Sequence, residues 1–182
     1  REIEEIEKEV RDVSKESEDI VRTVHDENRR ASERSRELVK RVDEENRKAV
    51  EDLERVAREN REPKEALDKR LEDLKRRNEE IEKRLEEISR EVSRRNEEIK
   101  KTIEKLSREV AKRLKEAEDR LKGDELLRRV RKLLEDHKRV NERLLEEIEK
   151  SLKRHREENE RLLEEIRKSL EDVERVVEEI KR

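Results

Sequence analysis

Apolar and small polar residues recur along this chain at alternating spacings of four and three. In the first third they run Val24, Asn28, Ala31, Ser35, Leu38, Val42, Asn46, Ala49, Leu53, Val56 and Asn60. The cycle closes after 18 residues, which is five turns of an α-helix at about 3.6 residues per turn. Residues 76–93 and 94–111 agree at twelve of eighteen positions, as do residues 136–153 and 154–171. The repeat therefore runs within helices and does not mark solenoid modules. A seven-residue repeat drifts by about 20° per heptad on a straight helix and imposes a left-handed supercoil. An 18-residue repeat has no such drift, so the spacing predicts long, nearly untwisted helices.

The pattern breaks twice. Asn60-Arg61-Glu62-Pro63-Lys64 puts the single proline where it suits the first turn of a new helix, just after a stop. Lys122-Gly123-Asp124-Glu125 offers Gly123 for a left-handed helix terminus and Asp124 for an N-cap. Three helices are expected, at about 1–61, 63–122 and 124–182, with turns near 61–63 and 122–124; each would be about 90 Å long. Connections this short make neighbouring helices antiparallel. The expected fold is all-α, a single elongated up-down-up antiparallel three-helix bundle over residues 1–182. Its handedness is open, since the same faces allow both.

On each helix the inward face is wider than a minimal surface-helix stripe. It runs from Leu67 to Leu121 on the second helix and from Val130 to Ile180 on the third. The other faces are Glu, Lys and Arg, which favour helix and form pairs one turn apart.

Asn, Ser and His interrupt the inward faces. With fold-back points at about residues 62 and 123, antiparallel arithmetic sets Asn46 opposite Asn78 and Asn28 opposite Asn96. The third helix then brings Ser169 near the first pair and Ser151 near the second. Ser35 and Ser89 group with His155 and Asn159, and Ser17 and Ser107 with His137 and Asn141. Four polar layers are expected, about 13 Å apart. A buried polar group without a partner costs about 1–3 kcal/mol, so matched layers are economical where isolated ones are not. Layers of this kind are expected to set helix register against sliding.

The histidines are the residues most often used in chemistry. His137 and His155 lie one repeat apart, about 27 Å along a helix, and cannot share a metal ion. His25 lies at the edge of its face. The Glu-x-x-His di-metal motif is absent, because Leu134 and Leu152 stand three residues before His137 and His155. A pair such as Ser35 with His155 lacks an inward carboxylate to orient the imidazole, and a continuous helix offers no oxyanion site. No catalytic residue, metal site or cofactor is expected. If both histidines are buried neutral, stability should fall as pH drops through about 6.5, and Asn at both positions should relieve it.

Composition narrows the picture further. Of 182 residues, 60% are charged and 27% hydrophobic, with no aromatic residue, Cys or Met. Without Cys there is neither a disulfide framework nor a thiolate ligand or nucleophile. Lys and Arg number 53 against 56 Asp and Glu. A nucleic-acid binder concentrates basic charge and commonly adds aromatics for stacking, so no nucleic-acid partner is expected. Apolar runs such as Leu126-Leu127 stop at two residues, far short of the roughly 20 that span a bilayer, so no membrane association is expected. The first residues carry no apolar signal stretch, and the missing initiator Met is expected of a processed or trimmed chain.

These features resemble de novo designed, parametrically generated straight helical bundles with modular buried hydrogen-bond networks. The resemblance rests on the 18-residue repeats, the Asn, Ser and His layers in an aliphatic core, the Gly123-Asp124 turn and the Glu, Lys and Arg surface. It implies a scaffold, assembly component or switch part made in a bacterial host, with no natural substrate. Spectrin-like repeats are shorter, twisted and usually aromatic in the core. Two roles follow. A closed monomeric bundle needs no partner. A binding module would leave a groove for a further helix or a second copy, a role motivated by Leu127, Leu145 and Leu163 at one edge of the third face.

Overall fold

The computed structural model describes residues 2–59 and 63–182. They form three α-helices, α1 (Glu2–Glu59), α2 (Lys64–Arg120) and α3 (Asp124–Lys181), packed against one another. No strand occurs among the described residues. Asn60, Arg61 and Glu62, on which the expected end of the first helix falls, lie outside them.

The helix ends follow local chemistry. Pro63 immediately precedes α2, and its carbonyl accepts a hydrogen bond from the Ala66 amide at 3.1 Å. After α2, Leu121 donates back to Ala117 at 2.9 Å. Gly123 then takes a φ of 119°, a region that side chains disfavour. Its carbonyl accepts from Leu127 at 3.2 Å, so Gly123 itself stands at the cap of α3. Asp124, expected as the N-cap, instead joins Glu125 in the first turn. There both carboxylates face the positive end of the helix dipole.

The chain divides into two compact units, each drawing on all three helices. The first comprises Arg1–Asn28 and Val92–Lys153, the second Arg29–Glu91 and Arg154–Arg182.

In the first unit, one aliphatic cluster joins Ile3, Ile6 and Val10 of α1 to Val110 and Leu114 of α2 and Val130 of α3. A second joins Val21 and Val24 to Ile103, Leu144 and Ile148. Burying each such side chain is worth about 1.5–3 kcal/mol. Helices α1 and α2 run antiparallel, shown by the ion pairs Glu2–Arg120, Glu9–Arg113 and Glu27–Arg95. Helices α1 and α3 run parallel, with Glu7 pairing Arg129 and Glu18 pairing Arg143. Glu118–Arg131 and Lys100–Glu149 tie α2 to α3 in the antiparallel sense.

In the second unit, Val39 and Val42 of α1 meet Leu85 of α2 and Leu162 and Ile166 of α3. Leu53 likewise meets Leu67, Leu74, Val173 and Val177. Here α1 pairs with α2 through Glu45–Arg77, with α3 through Arg36–Glu158, and α2 pairs with α3 through Lys75–Glu174 and Asp68–Lys181. Exposed pairs of this kind contribute at most about 1 kcal/mol each. Aliphatic burial carries stability in both units, and the charges bias orientation.

Candidate functional site: the buried polar layers

Within the first unit, Asn28 on α1 and Asn96 on α2 exchange hydrogen bonds. Asn28 Nδ2 donates to Asn96 Oδ1 at 3.0 Å and Asn96 Nδ2 returns to Asn28 Oδ1 at 2.8 Å. Asn28 Nδ2 also donates to Ser151 Oγ on α3 at 2.9 Å. The second proton of Asn96 goes to the Val92 carbonyl one turn back, at 2.6 Å. One carboxamide thus touches both other helices, in a position where both asparagines are almost wholly buried.

The second unit repeats this arrangement. Asn46 and Asn78 exchange bonds at 2.9 and 3.0 Å, Asn46 donates to Ser169 Oγ at 2.8 Å, and Asn78 donates to the Leu74 carbonyl at 2.8 Å. The α1-to-α3 separation is 123 residues here and in the first unit alike. One further residue enters, Asp43. Burial, then repulsion from Glu165, pushes its carboxyl above the usual range, while a hydrogen bond with Ser169 and the charge of Arg47 pull it down. Asp43 Oδ1 has no partner. The inward spacing gave no signal for Asp43, because it lies beside the face position Val42.

The histidine layers are more sparsely bonded. In the first unit His137 Nε2 lies 3.1 Å from Ser107 Oγ, and its Nδ1 is buried without a partner. Ser17 is buried and Asn141 half-buried. Neither is hydrogen-bonded to His137 or Ser107 among the described residues. Burial holds the His137 imidazole below its ordinary pKa, with Ser107 opposing.

In the second unit His155 Nδ1 meets Ser32 Oγ at 2.8 Å, and its Nε2 is unpartnered. Ser35, expected to group with His155, is fully buried with its hydroxyl unpaired. The 123-residue separation that joins Asn46 to Ser169 also joins Ser32 to His155. Ser35, almost one turn further along α1, misses the ring. Ser32 escaped the sequence reading because a face of one residue per turn selects Ala31. A helix between two neighbours buries a second column beside the first, and Ser32 belongs to it. Asn159 donates to the Leu85 carbonyl at 3.0 Å, not to His155, and its Oδ1 is unpartnered. Ser89 is half-buried on α2 and forms no bond with His155 or Asn159 among the described residues. Burial pushes the His155 imidazole down; Glu158 raises it and Arg156 lowers it further.

Among the described residues no group of three or more His, Asp or Glu gathers as a metal site. No described helix is long and apolar enough to cross a membrane. The described surface exposes no large hydrophobic side chain. Leu145 packs against the second cluster of the first unit and Leu163 against the first cluster of the second; Leu127 is half-buried.

No protein-family model and no curated protein matches the chain. Among solved structures it is similar to one described as a computationally designed three helix bundle. The two share 19% identity over 98% of this chain and 89% of that chain, at a TM-score of 0.48.

Proposed function

We propose that this chain is a designed structural scaffold, and that its buried Asn, Ser and His layers fix the register in which the three helices pack. The observation that carries the reading is the double attachment of one carboxamide: Asn28 bonds both Asn96 and Ser151, and Asn46 bonds both Asn78 and Ser169. Sliding one helix by a turn, about 5.4 Å, would set these amides against aliphatic neighbours. Each amide so stranded costs about 1–3 kcal/mol. Aliphatic side chains alone discriminate poorly between registers, because Leu, Ile and Val at repeat-related positions are interchangeable in shape and polarity.

Design is supported by the small alphabet and by 18-residue repeats inside single helices that agree at twelve of eighteen positions. A non-catalytic role is supported by the histidines' surroundings. Ser32 and His155 are buried, and the imidazole has no carboxylate bonded to its second nitrogen, so a serine nucleophile lacks its orienting group and substrate access.

The test replaces Asn28, Asn96 and Ser151, and in a second variant Asn46, Asn78 and Ser169, with Leu, Leu and Ala. Spin-label distances between α1 and α2 within the altered unit should change from one population to several. A single unchanged distance in both variants would defeat the register reading.

One observation favours the alternative of a binding module. In the first unit a groove of about 400 Å³ runs between α1 and α2, lined by Ile6, Val10, Val13 and Leu106. The Glu9–Arg113 ion pair lies on the same lining, at 2.5 Å. Light scattering coupled to size-exclusion chromatography separates the readings: the scaffold runs at the mass of one chain, 22.4 kDa, and self-assembly gives a multiple of it.

A further inference from the structure

Both buried histidines belong to α3, while the buried polar contacts between α1 and α2 are made by carboxamides, which do not titrate. In the first unit α1 and α2 are joined by the reciprocal Asn28–Asn96 pair, and in the second by Asn46–Asn78. Helix α3 is held by hydroxyl acceptors, Ser151 and Ser169, by Asn159 on the Leu85 carbonyl, and by His137 and His155. The helices therefore differ in how they respond to a proton.

We propose that α3 is the acid-released helix: protonation of His137 in the first unit and of His155 in the second loosens α3 from α1 and α2 while the α1–α2 amide pairs persist. A neutral imidazole presents one donor and one acceptor nitrogen, and the charged ring presents two donors. The nitrogen left over from the serine contact, Nδ1 of His137 and Nε2 of His155, is buried with no acceptor in reach. A proton there creates both an unpaired donor and an unpaired charge in the buried core. Outward movement of α3 relieves both by admitting water.

The charged groups nearby do not remove this penalty. At His137, burial pushes the ring's pKa down and the bond with Ser107 opposes it, and among the described residues no charged side chain forms a hydrogen bond or ion pair with the ring. At His155 the charges are Glu158 and Arg156, both on α3. Glu158 is itself paired at 2.8 Å with Arg36 of α1, and the Leu85 carbonyl of α2 is taken by Asn159. This inference goes beyond the register reading, since a register device need not respond to pH.

The chain contains no Cys, so spin labels go where they are placed. In the second unit the exposed sites are Lys40→Cys on α1, Arg84→Cys on α2 and Arg161→Cys on α3. In the first they are Glu16→Cys, Lys105→Cys and Lys138→Cys. Each unit is measured pair by pair in the full-length chain at about pH 7.5 and about pH 5.5, on either side of the ordinary histidine range. Both pairs that include α3 should broaden about twofold on acidification while the α1–α2 pair keeps its width. The double variant His137→Asn with His155→Asn, which leaves His25 in place, should lose the broadening. Equal broadening of all three pairs, or undiminished broadening in the double variant, would overturn the proposal. Should that variant fold poorly, the comparison of the three pairs in the parent chain decides alone.

Discussion

Asn46 and Asn78 face each other across α1 and α2 with both carboxamides engaged twice over, each donating to the other's oxygen at 2.9 and 3.0 Å. The remaining protons reach Ser169 and the Leu74 carbonyl. The pair is nearly saturated, and such a pair is costly to break from one side only. Asn78→Ala should destabilise the chain by about 1–3 kcal/mol, because Asn46 then keeps a buried donor and acceptor unpaired. Replacing both by Leu should cost much less, since neither amide is then left unpaired and Ser169 alone loses a donor. Urea denaturation of Asn46→Leu, Asn78→Leu and the double Leu variant measures the coupling. Additive losses would show that the amides act independently.

Ser32 and Ser35 are both buried on α1, yet only Ser32 has a partner. Ser32→Ala should lower stability by about 0.5–1.5 kcal/mol through loss of the His155 contact. Ser35→Ala removes a hydroxyl that was desolvated without return, so it should be neutral or stabilising. Equal losses at the two positions, read from denaturation midpoints, would contradict the contact assignment.

The pH dependence has a definite sign. Folding depresses the pKa of His137 and His155, so the unfolded chain binds protons more tightly. Their contribution is fully present above the unfolded value of about 6.5 and is lost as pH falls from there through the folded values. Burial raises Asp43 and Glu82 instead. Those carboxyls favour the folded state as they take up protons. The denaturation midpoint should therefore drop first as pH falls below about 6.5, with the decline opposed further down in the carboxylate range. Asp43→Asn should raise the midpoint at neutral pH, with the gain shrinking as pH falls. A midpoint that is constant from neutral to mildly acidic pH would refute the histidine assignment.

Gly123 isolates a backbone effect. At its φ of 119° a Cβ would meet no atom within 4 Å, so Gly123→Ala adds strain without a clash. It should cost about 1–2 kcal/mol. A thermal midpoint unchanged in Gly123→Ala would mean that the α2–α3 connection relaxes to another conformation freely.

Much of the architecture was legible because it depends on local rules. The 18-residue spacing of Val24, Val42 and their relatives defines a helical face without reference to any neighbour. A single Gly at position 123 ends one helix and starts the next for reasons of backbone sterics. The place of Asp124 was less legible, since cap and first turn differ by one residue and either suits a carboxylate. Asp43 was invisible for another reason: a charged residue next to an apolar position reads as surface, and only packing against α3 brings it to Ser169.

By itself, then, the sequence determined that three helices form, which side of each is aliphatic, and that Asn, Ser and His interrupt those sides at intervals of whole turns. Periodicity and turn chemistry are properties of a single segment, so one strand of text suffices to read them. The tertiary structure alone decided that His155 meets Ser32 and leaves Ser35 unpaired, that Asn159 turns to a backbone carbonyl, and that one nitrogen of each buried imidazole has no partner. Those outcomes depend on how far one helix is rotated and shifted against two others. A few ångströms of that displacement separate a hydrogen bond from none.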